Sequence, residues 1–131
     1  MTNAQRPLSP HLQIYRWQVQ MVTSILHRAT GIVLAFSTLF ILWGLISLAA
    51  GEAAYDQFKR CAGSAIGIVV LVGWTWAFCY HLCNGVRHLV QDTGAGYTVT
   101  QFGRSSRQSI VGSVVLTLIV WGYVLFLGGV A

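Results

Sequence analysis

The chain has 131 residues, the length of one ordinary domain, of which 55% are hydrophobic and only 8% are charged. An average globular chain is roughly 25% charged, and so few charged groups cannot cover the surface of a soluble fold of this size. The composition therefore excludes an independent soluble domain, and the net charge of +5 indicates membrane orientation and anionic headgroups rather than a nucleic-acid partner.

The first predicted element is an irregular or interfacial segment over residues 1–21. Pro7 and Pro10 interrupt a helix there, and no apolar stretch near the start has the form of a cleaved signal peptide. Tyr15 and Trp17 suit the level of the lipid headgroups. We therefore expect this segment to lie at the membrane surface.

Three uncharged runs follow at residues 29–51, 61–86 and 109–131. Each is long enough to cross a bilayer core, which needs about 20 mainly apolar residues as helix. We therefore expect an all-α membrane protein, a single membrane-anchor domain with three transmembrane helices. The helices are predicted over about 22–50, 63–90 and 109–128, with connections at 52–60 and 91–108.

Basic residues are divided unequally between the two sides that three crossings create. The N-terminal side holds six arginines, whereas the other side holds only Lys59 and Arg60. The positive-inside rule then places the N-terminus in the bacterial cytoplasm or the mitochondrial matrix, and the C-terminus on the periplasmic or intermembrane side. The six arginines are Arg6, Arg16, Arg28, Arg87, Arg104 and Arg107.

Polar residues inside the spans are functional candidates, because burying an ionisable group is costly without a partner. Ser24, His27 and Arg28 have the spacing i, i+3 and i+4, so they share one face of the first helix at its cytoplasmic end. Gly31, one turn further along, keeps that face open. This face is therefore predicted to contribute to a site.

A second group lies on the second helix. His81 and His88 are two turns apart, about 10 Å along the axis, with Gly85 between them as a place for a flat ligand. A neutral imidazole deep in the bilayer is a suitable axial ligand for haem iron. Arg28 and Arg87 lie at the level where haem propionates would emerge, and guanidinium groups suit carboxylates. This pattern favours a haem b held edge-on to the cytoplasmic side.

The third helix contains no His, Met or Cys, so a second axial ligand would have to come from another membrane subunit. Cys79 and Cys83 flank His81, but buried cysteine is usually a small apolar residue, and the spacing differs from the c-type haem motif. The expected metal ligand is therefore His81 alone, as the axial ligand of haem iron.

Plainer interpretations stay open at this point. His81 taken alone is typical of a histidine that packs between helices, and Arg28 taken alone is typical of a residue that sets topology. Ser24 alone would be a helix cap, and Asp92 a solvated carboxylate.

Taken in order, these motifs closely resemble the cytochrome b membrane-anchor subunit of succinate dehydrogenase, respiratory complex II. The resemblance covers about residues 6–94, and the third span matches only as an apolar helix. The residues that carry it are Arg6-Pro7-Leu8-Ser9-Pro10-His11-Leu12 with Ile14-Tyr15, Ser24-Ile25-Leu26-His27-Arg28 with Thr30-Gly31, and His81 with Gly85-Val86-Arg87-His88-Leu89 and Asp92.

The resemblance implies a subunit that pairs with a second three-helix anchor and holds an iron-sulfur subunit and a flavoprotein subunit at the membrane. FAD and the iron-sulfur clusters belong to those partners, and the chain is not an enzyme on its own. Electrons from succinate would reach ubiquinone where the iron-sulfur subunit meets the two anchors, as a step of the tricarboxylic acid cycle and the aerobic respiratory chain. The strip over residues 6–15 is expected to dock the iron-sulfur subunit.

The resemblance also implies roles for individual residues around one haem b shared with the partner anchor. They are His81 as axial ligand, His27, Arg28 and His88 around the propionates, Ser24 and Arg28 in the quinone pocket, and Asp92 near the quinone and the proton entry. The residue pattern itself also places Arg87 at the level of the propionates. It makes Asp92 or His88 a candidate proton relay.

Three other functions remain open from the sequence. A fumarate reductase anchor would run the same chemistry in reverse, although a single deep histidine disfavours a form with two haems. A small transporter or proton channel would use Arg28, His81 and His88 as a relay. A structural anchor without haem would leave His81 unexplained. A reduced-minus-oxidised spectrum and the copurifying subunits discriminate between these readings.

Overall fold

The computed structural model describes Ile14 and residues 16–128, and these residues fold as helices without a strand. The helices are α1 (Val19–Ala50), α2 (Glu52–Ala62), α3 (Ala65–Asp92) and α4 (Val99–Leu127). The predicted all-α class is confirmed. Most of the N-terminal segment predicted over 1–21, including all of the docking strip except Ile14, lies outside the described residues.

Three of the helices are long and apolar enough to cross a membrane. Their most apolar windows have mean hydropathies of 2.3 in α1, 1.7 in α3 and 2.2 in α4. A span needs about 20 apolar residues, and the helices have 32, 28 and 29. The three predicted spans are therefore confirmed as helices of sufficient length and composition.

The connection predicted at 52–60 forms the short helix α2. Gly51 has a φ of 112°, a left-handed conformation that lets the chain turn directly from α1 into α2. The Phe58 ring then packs against Phe40 and Trp43 of α1, at centroid distances of 5.1 and 5.0 Å. Gly44 permits this contact, since a Cβ there would lie 2.9 Å from the Phe58 ring. Aromatic packing thus folds a polar segment back onto the end of α1.

Charges on α2 are arranged in favour of the helix. Glu52 lies in its first turn and Lys59 and Arg60 in its last, which complements the helix dipole. The Lys59 ammonium donates a hydrogen bond to the Asp56 carboxylate at 2.7 Å. This hydrogen bond lowers the pKa of Asp56 and raises the pKa of Lys59.

Helix α4 begins at Val99, well before the predicted residue 109. The Thr98 hydroxyl caps it by accepting a hydrogen bond from the Gln101 backbone N–H at 3.4 Å. Gly94 and Gly96 have φ values of 86° and 82°, which reverses the chain in a short turn after α3. The polar turns that looked like a loop are therefore the first turns of a span packed against α3.

Small and polar side chains line the contacts between α1, α3 and α4. The largest fully buried side chains are Tyr80, Asn84, Thr23, Ser106 and Ser113. Most of the buried hydroxyls donate to carbonyls of their own helix, and Tyr80 Oη donates to the Thr23 carbonyl of α1 at 2.9 Å. Large apolar side chains point outward instead. This distribution is typical of membrane helices, whose outer faces meet lipid or other subunits.

Candidate functional site

Three histidines meet where α1 begins and α3 ends. The His27 and His81 rings are stacked, with centroids 3.9 Å apart and planes 13° from parallel. The His88 ring lies 5.3 Å from that of His27. We call the end of the bundle that holds these rings the histidine end. The two faces predicted on separate helices are thus brought together into one cluster.

Hydrogen bonds define the orientation of the His81 ring. Its Nδ1 lies 3.2 Å from the His27 carbonyl oxygen and 3.3 Å from the Thr30 hydroxyl. A carbonyl can only accept, and the Thr30 hydroxyl itself donates to the Leu26 carbonyl at 2.8 Å. The arrangement therefore requires the proton on Nδ1, which leaves the lone pair on Nε2.

Glycine makes this approach possible. A Cβ on Gly31 would lie 3.1 Å from Cε1 and 3.6 Å from Nδ1 of His81, so a side chain there would press on the ring. The space that Gly31 was predicted to keep open is thus taken by the His81 ring itself. Gly85 has looser surroundings, with the His27 ring 3.9 Å from the position of a Cβ. Of the two glycines, Gly31 is the one that the site geometry requires.

One polar atom of the cluster has no partner in the part of the chain that the structure describes. His27 Nδ1 is buried without a hydrogen bond. Buried polar groups are almost always satisfied, so this atom indicates an acceptor or donor that comes from outside these residues.

The other predicted site residues lie around this cluster without a hydrogen bond to it among the described residues. Ser24 is half-buried and Arg28 is exposed, both on the α1 face that carries His27. Asp92 is exposed at the last residue of α3. These three are therefore accessible to a substrate or a partner at the histidine end.

Arg87 is placed differently. It is buried, its Nε donates to Asn84 Oδ1 at 2.9 Å, and its guanidinium lies 5.0 Å from the centre of the Phe102 ring of α4. The structure thus places Arg87 on the side of α3 that packs against α4. Its predicted contact with a propionate stays a prediction.

The residues of the cluster fit a haem. Metal-binding histidines usually donate their other N–H to a carbonyl or similar acceptor, as His81 does. The unpartnered His27 Nδ1 is suitably placed to donate to a carboxylate. Among the described residues no group of three or more His, Cys, Asp or Glu could hold a metal ion by itself, whereas a porphyrin brings four nitrogen ligands of its own.

Sequence reasoning missed the supporting residues. Thr30 has no predicted role of its own beyond its place in a motif, and Asn84 has no predicted role. Asn84, Arg87 and Gln91 have the spacing i, i+3 and i+7, the pattern of a single helix face, and this signal was available. The contact between Thr30 and His81 depends on how two helices pack, for which the sequence holds no comparable signal.

The chain has relatives among known proteins. Residues 2–120 match the family described as Succinate dehydrogenase/Fumarate reductase transmembrane subunit. The chain is 41% identical to the succinate dehydrogenase cytochrome b556 subunit of Rickettsia typhi, over 88% of this chain and 90% of the relative. It is 42% identical to the cytochrome b556 subunit of Paracoccus denitrificans, over 88% of this chain and 92% of the relative. It is also similar to the mitochondrial cytochrome b560 subunit of Sus scrofa, at 40% identity over 88% of this chain and 66% of the relative.

Proposed function

Because the chain belongs to the succinate dehydrogenase/fumarate reductase transmembrane subunit family, we propose that it binds haem b and forms part of a ubiquinone-reduction site in succinate dehydrogenase. The observation that carries the proposal is the His81 ring, whose Nδ1 is held by the His27 carbonyl so that Nε2 is available to a metal. The relatives named cytochrome b support the haem part of the proposal.

In this proposal His81 would hold the haem iron through Nε2, and a second anchor subunit would supply a further ligand to it. A bound haem b supplies one-electron oxidation and reduction at this position. The His27 carbonyl and the Thr30 hydroxyl fix the ring orientation and the tautomer. His27 Nδ1, Arg28 and His88 act on the propionates as donors and positive charges.

Ser24 and Arg28 are assigned to the quinone. The Ser24 hydroxyl donates a hydrogen bond to a quinone carbonyl oxygen. The exposed Arg28 guanidinium stabilises the negative charge that develops on that oxygen during reduction, an effect that is strongest where water is excluded. Asp92, exposed at the end of α3, and His88 then pass protons from the aqueous side to the quinone.

The same proposal covers the assembly and its orientation. The chain pairs with a second anchor subunit, and together they hold an iron-sulfur subunit and a flavoprotein subunit with its FAD. The outward-facing apolar side chains of α1, α3 and α4 are available for the second anchor and for lipid. The histidine end faces the bacterial cytoplasm or the mitochondrial matrix, as the excess of arginines on that side indicates.

The haem assignment is tested on the purified complex with the His81→Ala variant. We expect loss of the haem b bands, or a large shift in them, in the reduced-minus-oxidised spectrum, while succinate oxidation with a water-soluble acceptor continues. Thr75→Val is the matched control, since Thr75 is a polar residue of α3 whose hydroxyl bonds only its own helix at Leu71. An assembled His81→Ala complex with an unchanged spectrum would refute the assignment.

A further inference from the structure

Arg87 is a buried cation without a counter-charge among the described residues. Only 7% of its surface is exposed, and one guanidinium nitrogen, Nη1, has no hydrogen-bond partner there. Its contacts are neutral, namely Asn84 Oδ1 and the face of Phe102. A positive charge at this depth requires compensation, so an anion from outside these residues is expected.

The chain itself has no carboxylate for this role. It contains three acidic residues, of which Glu52 and Asp56 lie on α2 at the opposite end of the bundle. Asp92 is exposed, and the ion pair that the described residues form joins Lys59 to Asp56. The residues outside the described ranges contain no Asp or Glu. The anion must therefore come from another molecule.

A cavity of about 480 Å³ opens beside Arg87 between α3 and α4. Its polar part is at the histidine end, where Gln91, Gln108 and Ser105 line it together with Arg87. The Gln91 side-chain nitrogen is buried there without a partner among the described residues. Toward the middle of the two helices the lining is apolar. It consists mainly of Leu82, Val86 and Leu116.

We propose that this cavity binds an anionic phospholipid, with the Arg87 guanidinium and the Gln91 amide donating hydrogen bonds to the phosphate. Arginine presents a planar fork of donors that matches phosphate oxygens, and basic pockets between membrane helices on the cytoplasmic or matrix side are typical headgroup sites. The apolar lining accepts an acyl chain that runs toward the bilayer centre. No acidic residue lines the cavity to receive a headgroup amine, which favours an anionic lipid over a zwitterionic one.

The test is a lipid count on the whole complex. Complexes carrying wild-type chain, Arg87→Gln and Arg87→Lys are purified in the same mild detergent, and bound phospholipids are identified and counted by mass spectrometry. We expect one anionic phospholipid per complex in the wild type, at least a tenfold lower occupancy in Arg87→Gln, and partial recovery in Arg87→Lys. Equal occupancy in wild type and Arg87→Gln would overturn the proposal.

The matched control is Arg107→Gln, which removes an exposed positive charge from α4 near the same end. Its bound lipid should match the wild type, and an equal loss in both variants would mean that general surface charge, not this cavity, retains the lipid. Unchanged lipid with reduced haem content in Arg87→Gln would instead assign Arg87 to a propionate. Unchanged lipid with loss of a membrane subunit would assign it to a partner carboxylate. Both results overturn the lipid site.

A second measurement covers the case in which Arg87→Gln does not assemble. Wild-type complex is depleted of lipid in detergent and then titrated with phosphatidylglycerol or phosphatidylcholine. We expect phosphatidylglycerol to raise the unfolding temperature at substoichiometric to equimolar amounts, and phosphatidylcholine to raise it much less. The reason is that a ligand that binds only the folded state stabilises that state. Equal responses to the two lipids, or none, contradict the proposal.

Discussion

Gly31→Ala is expected to disturb the His81 ring more than Gly85→Ala, the substitution of the other glycine beside the histidine rings. The new Cβ would lie 3.1 Å from Cε1 and 3.6 Å from Nδ1 of His81, so the ring must move by a few tenths of an ångström. Its two hydrogen bonds, at 3.2 and 3.3 Å, already lie at and just beyond the upper limit of about 3.2 Å for N–H···O bonds. A small displacement is therefore enough to break them.

The free-energy change caused by Gly31→Ala combines two costs and one gain. Overpacking typically costs about 1–3 kcal/mol, and the loss of an orienting hydrogen bond costs about 1 kcal/mol. Alanine in place of glycine returns about 1 kcal/mol of helix propensity to α1. The helix propensity is gained with and without haem, so it cancels from the binding equilibrium. Overpacking of the ligand ring alone, at about 1–3 kcal/mol, corresponds to haem binding about 5–150 times weaker, and the misplaced ligand should also shift the haem midpoint potential.

Two measurements on the purified complex check this expectation, the haem-to-protein ratio after prolonged washing and a redox titration of the haem bands. Gly122→Ala in α4 is the matched control, because no heavy atom lies within 4 Å of a Cβ placed there. Both variants gain the same helix propensity, so a difference between them reports contact with His81. Haem content and midpoint potential equal to wild type in Gly31→Ala would refute the reasoning.

Two further predictions concern the quinone and the packing of the bundle. Ser24→Ala should lower the rate of ubiquinone reduction by about tenfold, which corresponds to the loss of a hydrogen bond of about 1.4 kcal/mol. Ser37→Ala, on the same helix but away from the histidine end, should leave this rate unchanged. A parallel fall in succinate oxidation with a water-soluble acceptor would contradict the assignment. Tyr80→Phe removes the donor to the Thr23 carbonyl and should cost about 0.5–1.5 kcal/mol of folding free energy, which lowers the unfolding temperature of the complex. Tyr97→Phe changes an exposed side chain and should leave the unfolding temperature unchanged. Equal unfolding temperatures for the two variants would refute a stabilising role for the Tyr80 hydrogen bond.

The spans could be predicted because their signal is local. Charged residues are scarce enough that the uncharged runs mark each crossing, and the spacing of Ser24, His27 and Arg28 defines a helix face without knowledge of any neighbour. The same rule of helical spacing predicts that His81 and His88 share one face of α3. The meeting of these two faces follows from how α1 packs on α3, which the sequence does not state directly.

Other features could not be predicted because they depend on packing partners. The helical form of the connection at 52–60 could not be predicted, since a polar helix of this length is marginal in isolation and here Phe58 packs against aromatic rings of α1. The early start of α4 was missed because its first turns are polar, although their inward residue Ser106 is buried. The position of Arg87 between α3 and α4 likewise depends on the neighbouring helix.

The buried hydroxyls of the bundle have a consequence for how the chain is made. Serine and threonine side chains such as Ser106, Ser113 and Thr117 donate to carbonyls of the same helix one turn earlier, so each helix satisfies these groups before it meets a neighbour. Such helices can leave the translocation machinery one at a time without carrying unpaired hydroxyls into lipid. The buried Arg87 guanidinium differs from these hydroxyls, since its Nη1 has no partner among the described residues, so the insertion of α3 should depend on a partner molecule already present in the bilayer.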